Sequence, residues 1–280
     1  MTPYYNTFNE AWINLLDECL VYGDEVSPRG PQTKEIINSS VSFLTESSIL
    51  TVPERKLSYD FMFAEAWWIL EGRNDVETLT KFAPSYGKFS DDGSTLSGAY
   101  GPRIIDQFSY ALRVLCHDPN SRQAVINIWR DRPGPSKDIA CTLSIQFLIR
   151  DKRLHTIVNM RSNDLWLGMP YDVFTIAMIA STMVLEFNSR NAMKIELGKT
   201  YHNAASRHIY IKDSDKALSV VRSMLFDQNQ LAAIVPYRIG ANFECMRADA
   251  LRELLKRRIH IDDLKLTPFL VNRHPWISYK

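Results

Sequence analysis

Cysteine is scarce in the 280-residue sequence: there are four, Cys19, Cys116, Cys141 and Cys245, and no two form a CxxC pair. That spacing offers neither a zinc site nor a disulfide framework, so no metal is expected. Each thiol is expected to be reduced and, taken singly, to pack as a small apolar side chain. A surplus of charge is also lacking, since 33 basic residues against 32 acidic ones leave a formal charge of +1. No global field therefore draws the protein to nucleic acid or to an anionic membrane, although local anion sites remain open to it. No apolar run approaches the roughly 18 residues of a membrane span. The start, "MTPYYNTFNEAW", lacks the basic-then-apolar order of a secretory leader. A cytoplasmic protein with no membrane partner and no direct nucleic-acid partner is the expectation. Repeats and low-complexity tracts are missing too, and residues 1–280 read as a single large domain able to bury a sizeable core.

What is present is a mixture of helical and strand patterns. "NTFNEAWINLLDECLVYG" spaces Phe8, Trp12, Leu15, Leu16 and Cys19 at helical intervals, with Gly23 as a stop. A loop, "GDEVSPRGPQT", follows. "SYDFMFAEAWWILEGRN" reads as a mostly buried helix with Glu65 in its middle and Gly72 near its end, and "DVFTIAMIASTMVLEFN" and "KALSVVRSMLF" read as further helices. "QAVINIW", "TLSIQFLIR", "LHTIVNMR", "AMKIEL" and "RHIYIK" have the β-branched or alternating content of strands. From Lys81 to Pro102 the chain is rich in Gly, Ser and Asp yet keeps its aromatics, the mark of a functional loop. Helices and strands do not alternate strictly, which predicts an α+β fold with a mixed sheet packed by helices.

One stretch concentrates chemistry. "NMRSNDLWLGMPYDVF" sets Arg161, Ser162, Asp164 and Asp172 around a Leu-Gly-Met-Pro turn directly after a strand pattern. Cys141 opens an earlier strand pattern, and an arginine beside it would favour the thiolate. Spacing alone leaves both residues open to ordinary structural roles.

Several separate stretches, in order, resemble the thymidylate synthase superfamily. Its block Arg-Ser-x-Asp, two residues, Leu-Gly-x-Pro-Phe-Asn matches Arg161, Ser162, Asp164, Leu167, Gly168 and Pro170, with Tyr171 and Asp172 replacing Phe and Asn. "CTLSIQF" is similar to the nucleophile strand, which gives Cys141, Gln146 and Phe147. "EAWWILEGRND" is similar to the helix of the catalytic glutamate, which gives Glu65. "SGAYG" and "SRHIYIK" resemble two further elements and supply Tyr100, His208 and Tyr210. "HDPNSRQAVINIW" resembles the segment that lends arginine to a partner subunit, and "NRHPW" is a weaker echo.

The resemblance implies a thymidylate synthase-like fold in a homodimer built sheet to sheet, acting on a pyrimidine nucleoside monophosphate with 5,10-methylenetetrahydrofolate as cosubstrate. Thiolate addition to C6 of the ring makes C5 nucleophilic, and Cys141 would provide that thiolate. Arg29, Arg161 and Ser162, with Arg122 from a second subunit, would hold the phosphate in a shared site. Glu65 would move protons, a task suited to a mid-helix carboxylate whose pKa is raised by apolar surroundings. His208 and Tyr210, two apart and so on one strand face, would hold the sugar 3′-hydroxyl. Tyr100 belongs to the same nucleotide site. Asp164, Leu167, Gly168 and Tyr171, with Tyr86 and Phe89 from the aromatic loop, would face the reduced folate.

The departures point further. Where the family has asparagine, Asp172 offers a carboxyl that can accept from cytosine N4 and share a proton with N3, a pattern of the deoxycytidylate hydroxymethylase branch. Tyr86 and Phe89 stand where the family has two tryptophans. A smaller, polar cover admits water to the methylene intermediate, giving a 5-hydroxymethyl product. Thr142, Ala140, Met160 and Gln123 also depart from the family pattern. The expectation is a dCMP 5-hydroxymethylase, with a dCMP methyltransferase, a CMP hydroxymethylase and an inactive nucleotide-binding scaffold as rivals.

Overall fold

The computed structural model describes residues 2–226. Cys245, the "NRHPW" echo and the chain end "PWISYK" lie outside the described residues. In chain order the elements are β1 (Tyr4–Tyr5), α1 (Phe8–Tyr22), β2 (Asp24–Val26), β3 (Thr33–Leu44), α2 (Tyr59–Leu70), α3 (Val76–Thr80), α4 (Gly101–His117), β4 (Val125–Asn127), β5 (Thr142–Arg150), β6 (Arg153–Met160), β7 (Asn163–Asp164), α5 (Met169–Arg190), β8 (Glu196–Tyr210) and α6 (Ile211–Phe226).

Helix ends follow local chemistry. Thr7 and Glu10 close a reciprocal capping box on α1, Ser58 caps α2, and the Asp75 carboxylate caps α3 by accepting from the Thr78 amide. Gly72, at φ +68°, supplies the left-handed turn that a side chain would resist after α2. Pro102 and Pro170 sit in the first turns of α4 and α5, where a missing N–H costs nothing.

The strands form a mixed sheet in the order β1-β3-β8-β6-β5-β4, with β2 beside β3 and β7 beside β8. The β3–β8, β5–β6, β4–β5 and β2–β3 pairs are antiparallel, and the β6–β8, β1–β3 and β7–β8 pairs are parallel. Alternation assigns the faces: Ile145, Phe147 and Ile149 of β5 and Leu154, Val158 and Met160 of β6 are buried, and their neighbours are half-exposed. One core group packs α2, α4 and α5 on that face, and a second joins α1, α6 and the start of α5. Helix α5 is long and apolar enough to cross a membrane, but 83% of its apolar window is buried inside the protein, so it is the central core helix.

The α+β reading and the four helices hold. Helix α4 is additional to them, and four further details differ. Strand β3 was not expected, because "NSS" breaks its apolar pattern; Asn38 there adopts φ +58° and drops out of the β3–β8 register. "AMKIEL" and "RHIYIK" do not form two strands. A single strand, β8, runs from Glu196 to Tyr210, and Ile211 and Lys212 already belong to α6. "QAVINIW" yields only the three residues of β4, and Cys141 lies one residue before β5 rather than opening it.

Candidate active site

Helices α2 and α5 cross beneath the aromatic loop, and the cleft between them brings Glu65, Tyr86, Tyr100, Thr142 and Asp172 together. It encloses about 740 Å³, counting the open space at its mouth, and Asp138, Thr175 and Ile176 complete much of its wall. The loop contributes through a short 3-10 turn, Pro84–Phe89, which carries Tyr86 onto α2. There the Tyr86 hydroxyl donates to Glu65 Oε1 at 2.7 Å. Burial pushes the Glu65 carboxyl up to about 7, against the opposing effect of that hydrogen bond.

Asp172 lies in the first turn of α5, after Gly168 and Pro170. Burial, then the charges of Glu65 and Asp164, push its carboxyl up to about 8, while a hydrogen bond from Asn163 Nδ2 to Oδ2 at 3.3 Å works the other way. At neutral pH the site therefore favours a protonated Asp172, able to donate as well as accept. Thr175, one turn on, lines the same cleft with a buried hydroxyl that has no protein partner among the described residues.

Cys141 and Arg161 meet as their spacing implied. Arg161 donates to the carbonyls of Ala140 and Ile139 at 2.9 and 2.8 Å, and its Nη2 lies 3.7 Å from Cys141 Sγ. Arg161 acts on the thiol in the expected direction, favouring its ionised form. Burial raises the thiol's pKa, Arg161 offsets this only in part, and the charges of Asp172 and Asp138 add to the rise. Tyr100, at the head of α4, accepts from the Thr142 amide at 3.2 Å, which ties α4 to the residue after the cysteine.

Asp164 and His208 face each other across the β7–β8 ladder. Asp164 Oδ1 accepts from the amides of Trp166 and Leu167, both at 2.8 Å, which shapes the turn into α5. Burial raises the Asp164 pKa and lowers that of His208, whose ring stacks edge-on against Tyr210 at 5.6 Å. Phe61, Tyr86, Phe89 and Tyr171 form a connected aromatic group with centroid separations of 5.0 to 5.8 Å. Phe89 and Leu167 remain 38% and 43% exposed.

Other expected residues stand further out. Arg29 is exposed at φ +58°, near enough to act on the Cys141 thiol and the Tyr210 hydroxyl. Ser162 is half-buried beside Arg161. Arg122 is exposed, and its carbonyl accepts from Gln146 Nε2 at 2.8 Å. Asn163 and Thr175 escaped the sequence reading; Asn163 is flanked by matching residues and draws no attention until its contacts are seen.

The chain matches the thymidylate synthase family over residues 10–257. It is 29% identical over 224 residues to a deoxyuridylate hydroxymethyltransferase of Bacillus phage SP01, covering 73% of this chain and 57% of that one. It is 36% identical over 129 residues to a deoxyuridylate hydroxymethyltransferase of Pseudomonas phage M6, covering 43% of this chain and 37% of that one. The chain thus spans little more than half of the first relative's length and about a third of the second's. With a family match across most of its residues and the ordered motifs at its cleft, the chain belongs to the thymidylate synthase family.

Proposed function

We propose that the protein transfers a one-carbon unit to C5 of dCMP and that water completes the product as 5-hydroxymethyl-dCMP. The observation that carries this reading is the half-buried Asp172 carboxyl, lining the cleft where the family pattern has asparagine. In its neutral form it can accept from cytosine N4 and donate to N3, leaving no buried group unpaired.

The other residues support matching roles. Cys141 forms a bond to C6 and later leaves it, while Arg161 offsets charge on the sulfur. Glu65, titrating near neutrality, passes protons to and from the base through water. Arg29, Arg161 and Ser162 fit the phosphate, with Arg122 supplied by a second copy in a homodimer. The half-exposed sheet face that carries Leu148, Ile157 and Tyr201 suits that sheet-to-sheet contact. His208 and Tyr210 fit the sugar.

The residues present also fit a reduced folate. The aromatic group from Phe61 to Tyr171 offers ring faces for a flat heterocycle, and Asp164 keeps Oδ2 available to accept from ring N–H groups. 5,10-Methylenetetrahydrofolate would supply a carbon at the oxidation level of formaldehyde. Tyr86, Phe89, Leu167, Gly168 and Tyr171 border its place. The overall conversion adds one water to dCMP and methylenetetrahydrofolate and yields 5-hydroxymethyl-dCMP and tetrahydrofolate, with no change of electron count.

A second reading, the same reaction on dUMP, is favoured by the names of both relatives. A neutral carboxyl whose proton can change oxygens pairs with uracil too. Mass spectrometry of nucleotides after incubation with methylenetetrahydrofolate and equal dCMP, CMP and dUMP separates them. A 5-hydroxymethyl group on dCMP alone is expected. Conversion of dUMP alone would overturn the cytosine reading, and a methyl group would overturn water capture.

A further inference from the structure

The base-facing acid has a neighbour that decides where its proton resides. Asn163 on β7 and Arg207 on β8 are paired in register. Arg207 is one of the largest fully buried side chains, 1% exposed, and its partners are oxygen, sulfur and ring nitrogen atoms rather than a carboxylate. Nη1 donates to Asn163 Oδ1 at 3.1 Å, Nε donates to Ser39 Oγ at 2.9 Å, and Nη2 approaches the His202 ring and carbonyl at 3.2 and 3.1 Å. These bonds fix the guanidinium.

A guanidinium has only donors, so the Asn163 amide must turn its oxygen toward Arg207 and its nitrogen away. That nitrogen meets Asp172 Oδ2 at 3.3 Å. The reverse orientation would set N–H against N–H in a buried place, at the cost of an unmade bond at both groups. Oδ2 is therefore held as an acceptor, and because the carbonyl oxygen of a neutral carboxyl accepts far better than its hydroxyl oxygen, the proton of Asp172 is favoured on Oδ1.

Cytosine and uracil present opposite orders at positions 3 and 4: acceptor then donor for cytosine, donor then acceptor for uracil. A carboxyl free to move its proton between oxygens reads both. One with its proton fixed reads one. We infer that Asn163, oriented by Arg207, is a specificity-determining positioning residue that locks Asp172 into one donor–acceptor order and so separates cytosine from uracil. The inference rests on the reading of Asp172 as the residue that contacts the base.

The test uses the full-length protein with dCMP and dUMP, measuring kcat/KM and, by calorimetry, the affinity for each nucleotide. Asn163→Leu keeps the approximate shape and removes the donor. The preference between the two nucleotides should fall toward unity by about tenfold or more. The alkaline limb of the pH profile should also move to higher pH, because a hydrogen bond that favours the ionised carboxyl is gone. The groups facing Asp172 that could contribute to that limb are Glu65 on α2, Asp164 on β7, Tyr86, Tyr100 and Cys141. Asn163→Ala covers the case in which leucine does not pack. Arg207→Gln, which lets the Asn163 amide turn, should relax preference in the same direction.

An equal loss on both nucleotides with an unmoved pH limb would overturn the inference, and so would a wild-type protein that takes both equally. If the wild type prefers dUMP and Asn163→Leu still equalises the two, the cytosine reading fails and the lock stands. If the wild type binds neither nucleotide, both fail.

Discussion

The hydroxyl of Tyr86 donates to Glu65 Oε1 at 2.7 Å, joining the aromatic loop to the carboxyl in the middle of α2. The residue that borders the cleft is thus also one that tempers the pKa of its acid, lowering it against the larger, raising effect of burial. Tyr86→Phe removes a bond that favours ionised Glu65, so the Glu65 pKa should rise above about 7. The acid limb of the rate profile should then shift to higher pH, measured as kcat from pH 5.5 to 9. Tyr86→Trp restores bulk in place of the polar phenol and should raise the ratio of methyl to hydroxymethyl product, read by mass spectrometry. An unchanged product ratio would remove Tyr86 from the control of water access.

Cys141→Ala should abolish turnover while leaving nucleotide affinity within a fewfold of the wild type, measured by calorimetry. Glu65→Gln should retain binding and lower kcat by about 10²–10⁴-fold, the usual range for a general acid–base group. If either variant keeps full turnover, the proposed chemistry fails. If the wild type binds nucleotide without converting it, the chain is a binding subunit.

How much of this was legible in the sequence follows from the range of the signals. The patterns of α2, α5, β5 and β6 are local and continuous, and they give the two strands nearly to the residue and the two helices to within about a turn. β3 and β8 are masked by polar runs, "NSS" and "KTYHN", several of whose side chains find partners across the sheet, as Ser39 does in Arg207, Thr200 in Thr45 and Asn203 in Asn159. Motif spacing located Cys141, Glu65, Arg161 and Asp172. It could not find the Asn163–Arg207 bond, made between residues 44 apart whose pairing depends on strand register. Nor could it show that Cys141 is a half-buried thiol whose pKa its surroundings raise, since that depends on what packs around it.

Asp172→Asn should keep the order of preference that Asn163 imposes, because the new amide must turn its oxygen to the Asn163 Nδ2 donor and its nitrogen to the Oδ1 place, the same acceptor and donor as the neutral acid, and it should remove the alkaline limb that ionisation of Asp172 gives. The readout is kcat/KM for each nucleotide under identical folate. A variant that lost both activities in proportion would show Asp172 to be a structural acid.

The same two acids should make the free protein less stable as pH rises. Folded-state values of about 7 for Glu65 and about 8 for Asp172 lie above the ordinary values of 4.5 and 3.8, so the folded state holds these protons more tightly than the unfolded chain does. Stability from these groups is therefore fully present below about pH 4 and declines until pH passes the folded values, near 8. Asp75 works the other way: Arg73 and Thr78 hold it well below the usual carboxylate range, so its contribution is lost only as pH falls below about 4. Above pH 5 the buried pair should dominate the trend among these three. Thermal melts at pH 7.0, 7.5, 8.0 and 8.5, above the range in which the lowered pKa values of His155, His202 and His208 add stability as pH rises, should show Tm falling, and Asp172→Asn should flatten the fall by about the 2–4 °C that roughly 1 kcal/mol gives in a chain of this size. A variant whose Tm falls as steeply as the wild type's would mean that Asp172 is already ionised in the free cleft, and base selection would then rest on a carboxylate that only accepts.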